Sequence, residues 1–114
     1  MTLGQQQRRF PPLVAKLIEF AYLQGFELTF GECYRTPEQA AMNAASGAGI
    51  SNSLHILRLA IDVNLFKDGV YLKDSDDYKP LGDYWCSLDP DCAWGGVFTR
   101  RDGNHFSLTW NGVK

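Results

Sequence analysis

The stretch AIDVNLFKDGVYL, residues 60–72, decides the fold expected for this chain. Its first seven residues alternate between two sets of side chains, which point to opposite faces of a strand. One set is Ile61, Val63 and Leu65, and the other is Asp62, Asn64 and Phe66. Asp68-Gly69 is typical of a two-residue turn, and a short returning strand follows it. The stretch therefore predicts an antiparallel hairpin with one buried face.

Helical patterns precede this hairpin. Pro11 and Pro12 are expected to open a first helix that Gly25 ends, since proline is tolerated in the first helical turn. Its apolar face would consist of Leu13, Leu17, Ile18 and Ala21. In RTPEQAAMNAASG, a second helix is expected with Thr36 as N-cap, Pro37 at the first position, a capping box completed by Gln39, and an end at Gly47.

Further strands complete the predicted architecture. FELTFGECY, residues 26–34, is expected to be a strand with Phe26, Leu28 and Phe30 on one face. HFSLTW, residues 105–110, alternates in the same way, and a short helix or turn is expected around residues 78–89. The order of elements predicts a small α+β domain with an antiparallel sheet and helices packed on it. Its 114 residues suit one domain, 1–114.

Composition excludes several classes of protein. Apolar residues make up 45% and charged residues 21%, so the chain is expected to fold around a core. The net charge of −2 argues against nucleic acid as a main partner. The sequence has no apolar run long enough for membrane insertion. Glu19 interrupts the only segment that resembles a signal peptide, so we expect synthesis in the cytoplasm without one.

Cys33, Cys86 and Cys92 make an odd number of cysteines. This count does not predict a disulfide framework in a cytoplasmic protein, and buried free thiols are expected. Cys86 and Cys92 are near enough in sequence to pair in an oxidising compartment, so their state stays open.

Two histidines and one aspartate form the candidate metal site. His55 precedes the hairpin, while Asp62 and His105 lie on the polar faces of two predicted strands. Three ligands of nitrogen or oxygen type satisfy the requirement of a catalytic zinc site. The spacing alone is also compatible with a histidine that caps a turn and an aspartate that forms local hydrogen bonds. A zinc site that joins Cys86 or Cys92 to His105 matches no standard finger pattern.

Four motifs resemble one family of enzymes. SLHILRLAID, residues 53–62, resembles the S-x-H-x-x-x-x-A-x-D signature of LAS-type zinc metallopeptidases of peptidoglycan, which include D-Ala-D-Ala carboxypeptidases and phage L-alanyl-D-glutamate endopeptidases. DGNHFSL is similar to their second signature, and YRTPEQAAMNAASG and WGGVF occur in the family's order. The resemblance covers about residues 30–110 and implies a hedgehog/D,D-peptidase-like fold with its zinc on the sheet.

The resemblance also implies roles for individual residues. His55, Asp62 and His105 match the ligands of one zinc ion, and Asp102 matches the general base. Arg35 matches an arginine that binds a substrate carboxylate or the developing oxyanion. Ser53 matches a serine that supports the site or contacts the substrate. We also expect Trp94 to line the substrate groove, or else to lie in the core.

One position departs from the family pattern. The family has glycine three residues after the first histidine, whereas this chain has Arg58. Arg58 is expected either to force a different turn or to reach toward the cleft. The expected general base, Asp102, is an aspartate, which is shorter than glutamate. The endopeptidase branch of the family also tends to have aspartate at this position.

The expected function is hydrolysis of peptidoglycan stem peptides, with the L-alanyl-D-glutamate bond favoured. The expected context is a phage or prophage endolysin, a monomer that acts on the cell wall in the periplasm after release. One alternative is a D,D-carboxypeptidase or dipeptidase of the same family. Another is a non-catalytic binding module stabilised by zinc.

Overall fold

The computed structural model describes residues 1–47 and 53–114 and contains three α-helices and five strands in these parts of the chain. The helices are α1 (Leu3–Leu23), α2 (Pro37–Ala45) and α3 (Lys79–Leu88). The strands are β1 (Glu27–Phe30), β2 (Ala60–Lys67), β3 (Val70–Leu72), β4 (Cys92–Trp94) and β5 (His105–Leu108). Short 3-10 helices lie at Leu54–Leu57, Ser75–Tyr78 and Gly95–Val97.

The sheet is antiparallel throughout, in the order β1-β2-β5-β4, and β3 also pairs with β2. The predicted hairpin is confirmed, because β2 and β3 pair around Asp68 and Gly69, both of which have positive φ. Ile61, Val63 and Leu65 are buried, as the alternation predicted. The α+β architecture expected from the order of elements is therefore present.

Helix α1 begins eight residues earlier than the prolines indicated. Thr2 and Gln5 form a capping box, in which the side-chain oxygen of each residue accepts a hydrogen bond from the backbone N–H of the other. Pro11 and Pro12 therefore lie inside the helix, on its exposed side. A proline inside a helix costs about 3 kcal/mol, so tertiary packing must offset it. The buried side of the helix supplies that packing with Phe10, Val14, Leu17 and Ala21.

The core lies between the sheet and helices α1 and α3. Trp85 on α3 is fully buried, and its indole N–H donates to the backbone oxygens of Ala93 and Ser107 at 3.0 and 3.1 Å. These bonds hold α3 against β4 and β5. Phe30 departs from the predicted pattern, because it is 69% exposed at the end of β1.

Helix α2 has the predicted N-cap, since Thr36 Oγ1 accepts the N–H of Gln39 at 3.1 Å. The capping box is incomplete, because the Gln39 side chain donates to Asn43 instead. Gly47 follows the helix with φ of 78°, as predicted for its end. No helix in the described ranges is both long and apolar enough to cross a membrane.

The three cysteines are free thiols. Cys92 is buried, as expected, whereas Cys33 and Cys86 are exposed. Burial raises the pKa of Cys92 to about 12, and burial also raises the pKa of Cys86. Both thiols are therefore protonated at neutral pH, which makes them poor nucleophiles.

Candidate active site

The candidate active site is a cleft of about 510 Å³ on one side of the sheet. It brings together residues from the loop after β1, from the 3-10 helix before β2, from β2 and β5 themselves, and from the loop before β5. The lining residues are Arg35, Ser53, His55, Asp62, Phe98, Arg100, Arg101, Asp102, His105 and Lys114. All the predicted site residues except Trp94 line this cleft.

The sheet places two of the candidate ligands opposite each other. Asp62 on β2 pairs directly with His105 on β5, so their side chains leave the same face of the sheet. Nδ1 of His105 lies 3.7 Å from Oδ1 of Asp62. The antiparallel register thus sets the distance between residues that are far apart in sequence.

The third candidate ligand, His55, lies on the 3-10 helix before β2. Ser53 caps this helix, and its Oγ accepts the backbone N–H of His55 at 3.2 Å. Nδ1 of His55 faces the backbone oxygen of Cys33 at 3.5 Å, while Nε2 lies 3.3 Å from Asp62 Oδ1. The ring therefore presents Nε2 to the candidate metal site and Nδ1 to the protein.

The residues fit a zinc ion. One ligand atom from each of His55, Asp62 and His105 lies within 4.8 Å of the others. Asp62 Oδ1 is buried without a hydrogen-bond partner among the described residues, although two imidazoles face it. A buried carboxylate oxygen in that position needs a cation. Two imidazoles and one carboxylate are the donor set that a three-ligand zinc site uses.

Asp62 remains ionised over a wide pH range. Burial acts to raise its pKa, but the close approach and the charges of the His105 and His55 rings outweigh burial. The result is a pKa lowered to about 2. Asp62 is therefore a carboxylate at neutral pH, as metal ligation requires.

Asp102 lies on the loop before β5, which backbone contacts hold in place. Its N–H donates to Gly95 O at 2.9 Å, and its own carbonyl accepts the N–H of His105 at 3.1 Å. Trp94 Nε1 donates to Gly103 O at 2.7 Å. Position 95 must be glycine for this packing, because a Cβ there would lie 2.1 Å from the Asp102 oxygen.

The pKa of the Asp102 carboxyl is raised. The main cause is its partial withdrawal from water at the cleft wall, although the residue as a whole is exposed; the charge of Asp62 adds to this effect. The charges of His105, His55 and Arg35 act in the opposite direction. A raised pKa makes a carboxylate a stronger base at neutral pH.

Arg35 lines the cleft, and it forms an ion pair with Glu32 that the sequence did not predict. Its Nε donates to Glu32 Oε1 at 2.8 Å, and its Nη2 forms an ion pair with the same oxygen. Glu32 Oε1 also lies 3.7 Å from His55 Nδ1. An acid three residues before the arginine is visible in GECYR, but only the bend after β1 reveals that the two side chains meet.

The structure corrects the expectation that Trp94 lines the substrate groove. Its side chain is buried, with 3% of its surface exposed, and it does not line the cleft. A Cβ at Gly82 or Gly96 would meet its ring at 2.1 Å, so both glycines are needed to make room for the indole. Trp94 thus belongs to the core and holds the Asp102 loop through Gly103.

Arg58 keeps the backbone conformation that a glycine would favour. It caps the 3-10 helix of His55 with φ of 57° and ψ of 35°, in the left-handed region. Its guanidinium carbon lies 4.0 Å from the centroid of the Tyr34 ring. A glycine adopts this conformation readily, so the turn at Arg58 uses backbone geometry that the family's glycine also allows. Arg58 is not among the residues that line the cleft, so the alternative that it reaches toward the cleft is not supported.

Comparisons with known proteins agree with this fold and site. A family model described as D-alanyl-D-alanine carboxypeptidase matches residues 46–108. No curated protein sequence matches the chain. The crystal structure of the L-Ala D-Glu endopeptidase ChiX of Serratia marcescens aligns with a TM-score of 0.66 and 23% identity, over 93% of this chain and 85% of ChiX.

A second similar structure contains zinc. It is a variant of the vancomycin-resistance D,D-pentapeptidase VanY, from a VanB-type cassette, in complex with Zn(II). It aligns with a TM-score of 0.58 and 21% identity, over 88% of this chain and 70% of VanY. At these identities, the two structures establish the fold. The family model spans more than half of the chain, which therefore belongs to the D-alanyl-D-alanine carboxypeptidase family and is a LAS-type zinc metallopeptidase of peptidoglycan.

Proposed function

We propose that this enzyme is an endopeptidase that hydrolyses the L-alanyl-D-glutamate bond of peptidoglycan stem peptides. The observation that carries the proposal is Asp102, an aspartate at the cleft wall three residues before the ligand candidate His105. This shorter acid matches the endopeptidase branch of the family. The fold shared with ChiX, an L-Ala D-Glu endopeptidase, supports the same assignment.

In the proposed site, His55, Asp62 and His105 would hold the zinc ion. Zinc supplies Lewis acidity, which polarises a carbonyl and lowers the pKa of water from 15.7 to about 7. The Asp102 carboxylate takes a proton from the attacking water and delivers it to the nitrogen of the leaving amine. Arg35 donates hydrogen bonds to the substrate beside the scissile bond, from the guanidinium N–H groups that Glu32 leaves free.

The biological setting is part of the proposal. We assign the enzyme to an endolysin-type role in a phage or prophage, as a monomer that reaches the periplasmic face of the cell wall after release from the cytoplasm. Helix α1 is part of the folded domain, because Phe10, Val14 and Leu17 of that helix are part of the core. A holin-like partner or cell breakage would provide the route. Fractionation of expressing cells, with and without a holin, tests this setting.

A second candidate function is removal of a terminal D-alanine, as a D,D-carboxypeptidase or dipeptidase. The description of the matching family model favours it. The two functions differ in product, so digestion of purified Gram-negative peptidoglycan distinguishes them. The zinc-loaded wild type should release stem peptides that begin with D-glutamate, as read by mass spectrometry. Release of D-alanine alone would replace the proposed function with the second candidate.

A further inference from the structure

The arginine assigned to substrate contact already has an ionic partner. The Arg35 side chain is 14% exposed, and two of its nitrogens, Nε and Nη2, contact Glu32 Oε1. A guanidinium has five N–H donors, so some remain for a substrate. Its positive charge, however, is balanced by Glu32 before any substrate arrives.

Backbone contacts fix Glu32 in this position. The N–H of Asp62 donates to Glu32 O at 2.8 Å, and the N–H of Gly31 donates to Asp62 O at 2.8 Å. These bonds continue the pairing of β1 with β2 to the edge of the metal site. Glu32 Oε1 lies 3.7 Å from His55 Nδ1, so the carboxylate is held between the arginine and a ligand candidate. A substrate cannot displace it without breaking the ion pair.

A pre-formed ion pair changes what Arg35 recognises. A free substrate carboxylate at Arg35 would meet the negative charge of Glu32 a few ångströms away, and like charges brought together in a site lower affinity. A neutral carboxamide or carbonyl oxygen can use the remaining donors without that repulsion. Arg35 therefore acts as a hydrogen-bond donor rather than as an uncompensated cation.

We propose that Glu32 is a specificity-determining residue that shifts the preference of the cleft away from a free carboxylate and toward a neutral carboxamide beside the scissile bond. This inference rests on the proposed function, in which the D-glutamate after the scissile bond carries its α-carboxyl group as either carboxylate or carboxamide. Glu32 thus raises kcat/KM for the amidated stem peptide relative to the free acid.

The test uses two synthetic stem peptides that differ only in this group, an α-carboxylate or an α-carboxamide on D-glutamate. The kcat/KM of each is measured at saturating zinc, and their ratio is compared between enzymes. The ratio cancels any loss of bound metal, because one enzyme preparation cleaves both peptides. Arg100 and Lys114 also line the cleft, and neither has an ionic partner among the described residues. The change in ratio on mutation, and not its wild-type value, therefore isolates the effect of Glu32.

Glu32→Gln removes the charge and keeps the size of the side chain. We expect it to raise the carboxylate-to-carboxamide ratio by about tenfold, which corresponds to ~1.4 kcal/mol. Glu32→Asn should shift the ratio in the same direction. The matched control is Glu38→Gln, which makes the same substitution on exposed helix α2, away from the cleft lining, and should leave the ratio within about twofold.

An unchanged ratio in a folded, active Glu32→Gln enzyme would overturn the proposal. Loss of the folded state in both Glu32 variants would also overturn it, because Glu32 would then act on stability and not on selectivity. If the wild type releases only terminal D-alanine, the proposed function fails. The same ratio, measured on D-alanyl-D-alanine and its C-terminal amide, then tests Glu32 separately. A wild type that cleaves none of these peptides overturns both proposals.

Discussion

The two sides of the cleft hold their polar groups by different means. On one side, His55 and His105 are 3% and 6% exposed, and strand pairing or a capped 3-10 helix fixes the candidate ligands. On the other side, Asp102 is exposed on a loop held by backbone hydrogen bonds, by the Trp94 indole and by the Ser75 hydroxyl, which accepts the N–H of Gly103 at 3.0 Å. A metal site tolerates only small changes in ligand distance, and rigid strands meet that demand. A proton carrier must reach two positions, the attacking water and the leaving amine, and a loop allows that movement.

The largest effect is expected on the rigid side. His55→Ala or His105→Ala should lose most of the bound zinc and therefore the activity, because a three-ligand site rarely retains a metal after losing one ligand. Metal content by mass spectrometry of the purified protein is the measurement. Asn64→Ala, on the same face of β2 as Asp62, is the control and should retain zinc. Full zinc occupancy in both histidine variants would contradict the ligand assignment.

On the loop side, Asp102→Asn should lower kcat by about 10²- to 10⁴-fold, the usual contribution of a general base. Bound zinc should be retained, since Asp102 is not one of the three clustered ligand candidates. Turnover and zinc content measured on the same sample separate the two sides of the cleft. Unchanged turnover would show that another group acts as the base.

Gly95→Ala should disturb the loop and also press on a ligand candidate, because the added Cβ would lie 2.9 Å from Cβ of His105. The same Cβ would lie 2.1 Å from Asp102 O, so the loop must shift, at a cost of about 1–3 kcal/mol. Both the melting temperature and turnover should fall. Gly4→Ala in α1 makes the same change where only the flexible end of Arg8 is near, and helix propensity should make it slightly stabilising. Equal melting temperatures for the two variants would contradict the close packing of Gly95.

The smallest effect concerns Arg58, beside the first ligand candidate. Arg58→Gly and Arg58→Ala both remove the stack on Tyr34, but only glycine suits the φ of 57°. Arg58→Gly should therefore be the more stable of the two by about 1 kcal/mol. Chemical denaturation of both variants measures the difference. Greater stability of the alanine variant would mean that the turn has relaxed.

Local patterns predicted the elements that depend on near neighbours. Alternation revealed the face of β2, and Thr36 and Gly47 marked the ends of α2. The start of α1 was missed because two prolines outweighed the capping box at Thr2 and Gln5. The positions of Trp94 and Glu32 depend on contacts across the fold, with Gly103 and Arg35, and neither spacing nor composition specifies such contacts. The roles of the candidate ligands, Arg35 and Asp102 remain predictions, which these variants test.

The direct pairing of Asp62 with His105 also affects the stability of the protein against unfolding. A cation bound by both side chains ties the middle of the chain to its C-terminal part, and unfolding must release that cation. By mass action, each tenfold rise in free zinc above the dissociation constant adds about 1.4 kcal/mol to the free energy of unfolding. A higher concentration of free zinc is therefore expected to raise the resistance of the enzyme to proteolysis.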